Sequence, residues 1–401
     1  MKNKIVVING SDFGSTGKIS LEIISYVQSH GEVSCDFLVS NKKTNFSNVF
    51  CIDNNKVIRI INKIIVKVFG SDGFRNIYNT RKIINSLKKE KIDLIHIHSL
   101  HGYYINFPML FKFINKNKIP VIWTLHDNWI YSGRCAFIPE KCFLYKDGCK
   151  KCKYHKIYPR TIFDRANYYY KRKHKILKNT SKIIFVSPSK WNANLRYGTF
   201  LENHEFVVIN NGIDLSKFSP TKSNLRHELN IDKKFVILCI AYPWNQSKGL
   251  NYINQLAEEL DTSKFVIVMV GVDDQVITHQ NIIRIGPIFV QEELAKYYSM
   301  ADVFLSPTTA DNYPTVAMES ISCGCPVIFF DAGGIKEIVG EEVGILVPKN
   351  DYEGIKNAVL SMYINPFSRE TCIDYSKRYD KEHMLQKYYD LYMSMIEKGE
   401  K

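Results

Sequence analysis

Short β-branched and apolar runs alternate with longer amphipathic stretches along the whole chain, the pattern that specifies successive parallel βαβ units. In the first half these runs predict strands over Lys4 to Asn9, Val33 to Val39, Asp93 to Ser99, Val121 to Leu125, Lys182 to Val186 and Glu205 to Ile209. In the second half they predict strands over Phe235 to Ala241, Lys264 to Val270, Asn281 to Ile285, Asp302 to Leu305, Pro326 to Phe330 and Gly344 to Val347. Most are apolar throughout rather than alternating, as strands covered on both faces by helices must be. Between the two sets, Asn210 to Pro220 gathers turn residues and a proline, which places a domain boundary there. The expected organisation is α/β, with a Rossmann-like domain over 1–210, a second over 211–380 and a helix over 381–401. That helix has one buried face, because Met384, Leu385, Tyr388, Leu391, Tyr392 and Met395 fall at helical spacing.

A length of 401 residues suits two such domains. No apolar run approaches the roughly 18 residues of a membrane span, and the apolar run after Lys4 stops at Asn9-Gly10, too short for an export signal. The expectation is a cytoplasmic protein, whose ten cysteines are thiols or metal ligands rather than disulfides. The net charge of +14 is unevenly spread: residues 1–200 hold 35 Lys and Arg against 12 Asp and Glu, the remainder 19 against 28. The basic half should therefore face something anionic: nucleic acid, an acidic membrane or a phosphate-bearing substrate.

Four strings could carry chemistry. The first strand runs into Gly10-Ser11-Asp12-Phe13-Gly14-Ser15-Thr16-Gly17-Lys18 before a helix, where glycines permit a close backbone approach and helix amides suit an anion. Its spacing is neither that of a dinucleotide fingerprint nor that of a P-loop. Thr124-Leu125-His126-Asp127 ends an apolar strand, the place where ligands bind in this architecture. Lys248, in the turn Asn245-Gln246-Ser247-Lys248-Gly249, can meet the charge of a leaving diphosphate. Asp311-Asn312-Tyr313-Pro314-Thr315-Val316-Ala317-Met318-Glu319 leads a polar loop into a helix, with Pro314 at the first helical position. Its free amides suit phosphates and its Glu319 a ribose diol. Each string also has a structural reading, as a tight turn, a core histidine, a solvated lysine or a helix-start carboxylate pair.

Taken in order, Asp93-Leu94-Ile95-His96-Ile97-His98, Leu100-His101-Gly102-Tyr103-Tyr104, Thr-Leu-His-Asp, Asn211-Gly212-Ile213-Asp214, Lys248-Gly249, and Asp311 to Glu319 with Cys323-Gly324-Cys325-Pro326 resemble the retaining glycosyltransferases of family 4. The resemblance is to the branch that builds capsular, colanic-acid-like and O-antigen polysaccharides. It implies a GT-B fold, with two Rossmann-like domains facing across a cleft and the C-terminal helix returning to the first. It implies transfer of a hexose from a nucleotide-sugar to a saccharide or lipid-diphosphate-saccharide acceptor, with retention of configuration. Glu319 would hold the donor ribose, Asp311 the sugar hydroxyls, Asn312, Tyr313, Pro314, Thr315 and Val316 the sugar and phosphates, and Lys248 the diphosphate. His126 would meet the donor sugar, and Gly14 and Gly17 extend the donor-binding match. Two positions depart from the pattern: Asp311 stands where the family has Glu, and Tyr242 where it has an arginine. No DxD-like string suggests a catalytic metal. The alternatives in other classes are a GT-B nucleotide-sugar epimerase and a non-enzymatic anion- or nucleic-acid-binding protein; against the latter, no helix-turn-helix or RNP signature occurs.

Two features fall outside these strings. Cys135, Cys142, Cys149 and Cys152 lie within eighteen residues, two of them as CxxC, and suit either a structural zinc ion or thiols without a metal. Lys56 to Phe69 sets basic residues at 56, 59, 63 and 67 among aliphatics, the composition of a helix lying on an anionic membrane. With Lys171-Arg172-Lys173-His174-Lys175 it predicts peripheral contact at the inner face of the plasma membrane.

Overall fold

The computed structural model describes residues 2–400, apart from 53–55, 140–141, 157–158, 275 and 277. The chain forms two compact units, one of Met1–Asn210 with Leu385–Lys401 and one of Asn211–Met384. The first holds strands β1 (Asn3–Ser11), β2 (Val33–Asn41), β3 (Val49–Cys51), β4 (Leu94–Ile97), β5 (Val121–Thr124), β6 (Ile183–Ser187) and β7 (Glu205–Val208). They form one sheet in the order β3-β2-β1-β4-β5-β6-β7, parallel throughout. The second unit holds β8 (Phe235–Ile240), β9 (Phe265–Val270), β10 (Ile282–Ile285), β11 (Val303–Ser306), β12 (Val327–Phe330) and β13 (Gly344–Val347). Its order is β10-β9-β8-β11-β12-β13, again parallel. In both sheets the strand order reverses beside the first strand, the switch point at which this architecture binds ligands.

The unbroken apolar runs have the reason expected of them. Val236 and Leu238 pack into one core with Val266 and Val268, while Ile237 and Cys239 pack into another with Phe265 and Ile267. Successive side chains point to opposite faces, so a strand covered on both sides needs apolar residues at every position. All twelve expected strands are present, their ends within two residues of the sequence reading. The thirteenth, β3, is a three-residue edge strand with Phe50 and Cys51 exposed, too short to leave a pattern.

The final helix, Lys381–Glu400, leaves the second unit at Met384 and packs on the first from Leu385 onward, as the resemblance implied. Tyr388 and Tyr392 are fully buried there, and the Tyr389 ring stacks on His30 at 4.2 Å between centroids. Tyr388 and Tyr392 reach polar partners on β5 and β4: Thr124 Oγ1 lies 3.0 Å from the Tyr388 hydroxyl, and His96 Nδ1 2.5 Å from that of Tyr392.

Candidate functional site

In the second unit three loops converge beyond the carboxyl ends of β8, β11 and β12. After β8, Asn245 Oδ1 accepts from the amides of Ser247 (2.9 Å) and Lys248 (3.3 Å), winding a short 3₁₀ turn over Gln246–Lys248. Gly249 closes that turn at φ +78°, and a Cβ there would lie 2.3 Å from the Pro307 carbonyl oxygen. Only glycine allows the two loops this approach. Thr309 N and Thr308 Oγ1 then donate to Ser247 O at 2.9 and 3.2 Å. This lacing sets Lys248 Nζ 3.2 Å from Asp311 Oδ2, both groups partly exposed. From the third loop, Gly333 backs onto the Asp311 carbonyl so closely that no side chain fits.

Asn312 and Tyr313 are buried where this loop enters the helix Thr315–Ser322. The helix begins one residue later than the sequence suggested: Pro314 is its N-cap, with ψ 116°, and offers no side-chain acceptor to the first-turn amides. Those amides, Thr315 and Val316 among them, are the unsatisfied donors that attract an anion. One turn on, Glu319 Oε2 accepts from the hydroxyl of buried Tyr298 at 3.0 Å. Tyr242 is exposed and packs edge-on against exposed Phe289, so an aromatic pair occupies the ground where the resemblance placed an arginine.

In the first unit Gly14 opens the helix Gly14–Ser29 at φ +73°, and a Cβ on Gly17 would lie 2.5 Å from the backbone carbon of Asp12. The Asp12 carboxylate is consumed in holding the loop, accepting from Lys43 N, Thr44 N and Thr44 Oγ1 at 2.8, 2.8 and 2.6 Å. Burial opposes its charge, but these hydrogen bonds outweigh it and keep the carboxyl below its usual range.

His126 follows β5 and does not stand alone. His96, on β4, and His98, one residue past its end, point to the same side, and their ring centres are 4.1 Å apart. His98 Nδ1 lies 2.8 Å from His126 Nε2, with the two ring planes within 12° of parallel. His96 Nε2 lies 2.8 Å from Thr124 Oγ1. Burial holds all three imidazoles neutral, His126 down to about 4, His96 to about 3 and His98 well below its ordinary value. His101 goes the other way. Burial opposes its charge, but the Asp127 carboxylate 2.5 Å away raises it to about 9, so the two form an ion pair. The sequence reading chose only His126 from this group; the period-two spacing of His96 and His98 was the available signal for a shared face.

Two features outside these loops were also expected to matter. Among the described residues no three His, Cys, Asp or Glu side chains gather so as to hold a metal ion. Cys135, Cys142, Cys149 and Cys152 are buried. Cys149 Sγ accepts from Gly133 N at 3.2 Å, and Cys152 Sγ faces the Arg134 guanidinium at 3.7 Å. Burial raises the Cys135 and Cys149 thiols to about 12 and 11, which keeps them protonated and suited to an apolar setting. Second, Lys173 is not on the basic surface. It is fully buried, its Nζ donating to the carbonyls of Trp129 and Ser132 and lying 3.4 Å from the Trp129 ring centre. Helical spacing from Tyr169, Tyr170 and Leu177, all buried on the same face, already set it in the apolar stripe.

The amino-terminal part of the chain, residues 46–217, matches Glycosyltransferase Family 4, and residues 221–379 match Glycosyl transferases group 1. A protein of Escherichia coli (strain K12) that carries the name colanic acid biosynthesis glycosyl transferase WcaC is 23% identical over 366 residues, 85% of each chain. Alpha-monoglucosyldiacylglycerol synthase of Acholeplasma laidlawii is 24% identical over 358 residues, 82% of each. Among solved structures, HepE of Anabaena in complex with UDP-glucose superposes over 98% of this chain and 99% of its own, with a TM-score of 0.67 at 14% identity.

Proposed function

Because the chain belongs to the GT-B glycosyltransferases that join a family 4 domain to a group 1 domain, we propose that it transfers a hexose from a nucleotide-sugar to a growing surface polysaccharide, with retention of configuration. The observation that carries this reading is the convergence in the second unit of Lys248, Asp311, the uncapped amides of Thr315 and Val316, and Glu319. A cation and helix amides suit the diphosphate, and a carboxylate one turn into the helix suits the ribose. Asp311 and the backbone of Asn312 to Val316 hold the sugar. As the sugar–phosphate bond breaks, negative charge grows on the diphosphate, and fixed donors that meet it lower the barrier without a catalytic metal ion. The acceptor hydroxyl attacks from the face the diphosphate leaves. His126 contributes a hydrogen bond to the transferred sugar, and the loop of Gly14 and Gly17 contributes backbone amides. The relatives named for colanic acid and for a glucosyldiacylglycerol support a saccharide or lipid-borne acceptor.

Glu319 provides the direct test. By calorimetry Glu319→Ala should bind the donor nucleotide about 1.5 to 3 kcal/mol more weakly, the value of hydrogen bonds to a charged group, while the fold is retained. Unchanged affinity removes Glu319 from the nucleotide site. Incubation with donor alone distinguishes transfer from epimerisation, which needs no acceptor.

The acceptor side of the reading concerns the helix Lys56–Phe69. No helix among the described residues is long and apolar enough to cross a membrane. This helix instead exposes Val57, Ile60, Ile61 and Ile64, spaced to form one stripe, with Arg59, Lys63 and Lys67 also exposed. Aliphatic residues flanked by cations suit the headgroup boundary of an anionic leaflet, and we place the enzyme at the cytoplasmic face of the membrane. It should sediment with anionic vesicles and not neutral ones, and release as salt rises. Replacing Arg59, Lys63 and Lys67 by Gln should weaken low-salt binding by about 3 kcal/mol, at about 1 kcal/mol per basic residue. Equal binding to neutral vesicles would point to a soluble acceptor.

A further inference from the structure

A small cavity beside His126 has no part in the reading above. His98, His126, Asp127 and Trp129 border it, and about 10 Å³ of it is open to the centre of a water molecule, close to what one buried water needs. Two buried nitrogens of residues that line it, His98 Nε2 and Trp129 Nε1, have no hydrogen-bond partner in the protein.

Trp129 is held from several sides. Its amide donates to Asp127 Oδ1 at 2.8 Å, its carbonyl accepts from Lys173, and the Lys173 amine nitrogen sits over its ring. Gly73, at φ +78°, lies so close beneath the indole that a Cβ there would meet it at 2.5 Å. The direction of the indole N–H is therefore fixed. An indole nitrogen can only donate, and buried polar atoms are almost always satisfied by protein or ordered water. A single water that accepts from Trp129 Nε1–H and donates to His98 Nε2 satisfies both atoms. In the other tautomer, His98 Nε2–H would aim a second donor at that water and leave the water's own hydrogens to find acceptors. Each Asp127 oxygen nearby already has one hydrogen-bond partner, Oδ2 the His101 ring and Oδ1 the Trp129 amide.

We propose that His98 is a positioning residue: through a water held by Trp129 it is fixed as an Nδ1–H donor to His126 Nε2, which in turn fixes His126 as its Nδ1–H tautomer. His126 then presents an N–H to its ligand. It is a hydrogen-bond donor to a sugar hydroxyl oxygen and not a general base. Only the kinetic consequence rests on the proposed reaction; the tautomer is a property of the unliganded protein.

The test is two-bond proton–nitrogen correlation NMR on the full chain labelled with ¹⁵N-histidine, with His126 assigned by comparison with His126→Asn. The expected spectrum shows His98 and His126 each as the Nδ1–H form. In Trp129→Phe, which removes the indole donor, both should become mixtures of tautomers. That variant should also lose about fivefold in kcat, the worth of one hydrogen bond, with UDP affinity unchanged. An Nε2–H or averaged pattern for His126 in the wild-type protein overturns the proposal, as does a folded Trp129→Phe protein with unchanged histidine signals. Should Trp129→Phe not fold, the wild-type spectrum decides alone. Loss of transfer activity with the expected tautomers would count against the proposed reaction and leave the histidine assignment standing.

Discussion

Lys248→Ala is expected to lower kcat by roughly 10² to 10³, the effect of removing a preorganised group that meets developing charge. The size follows from the setting of the lysine. It is held in its turn by the Asn245 cap and by contact through Gly249 with the β11 loop, and it faces Asp311 at 3.2 Å. Little reorganisation is needed as the diphosphate departs. Removing the cation also leaves the Asp311 carboxylate unopposed beside the same phosphates, so nucleotide affinity should fall, though by less than turnover. Steady-state kinetics with saturating donor, together with calorimetry of the nucleotide, separates the two effects. Wild-type turnover in the variant would take Lys248 out of the mechanism.

The second large effect is on stability in acid. An unfolded histidine has a pKa near 6.5, whereas in the fold burial holds His96 down to about 3, His126 to about 4 and His98 well below normal. Below pH 6.5 the unfolded chain therefore binds protons that the folded chain refuses, and stability must fall as pH falls. At about 1.36 kcal/mol per pKa unit, His96 alone removes about 2 kcal/mol by pH 5, and the other two act in the same direction. His101 has the opposite sign. Its folded value is raised to about 9, so its contribution is complete below pH 6.5 and is lost as pH climbs through 9. Thermal midpoints for the first unit should thus fall from pH 7 to pH 5. On the alkaline side buried Lys173, held down to about 7, acts against His101, because the unfolded lysine binds a proton that the folded one refuses. A midpoint that stays level from pH 7 to pH 5 would show that these histidines are not buried as described.

The elements were legible because apolar runs of four to nine residues leave little choice beyond covered parallel strands, and the loops that follow β8 and β11 announced themselves through glycine, proline and polar residues. What the sequence could not reveal was pairing at a distance. Nothing local ties Glu319 to Tyr298, or His126 to a histidine just past the end of the neighbouring strand; both depend on which strands become neighbours. Lys173 was misassigned to the surface because five polar residues in a row suggest a solvated stretch, although only the third faces inward.

The helix that starts at Lys381 gives the order of synthesis a consequence of its own. Tyr392 reaches His96, 296 positions earlier in the chain, and Tyr388 reaches Thr124, 264 positions earlier. In chain order the second unit is an insertion within the first. While the ribosome is still short of residue 388, the amino-terminal sheet holds an imidazole and a hydroxyl that have each other but lack their tyrosine partners, whereas every strand of the later-made unit already exists. The half of the protein that emerges first is consequently completed last.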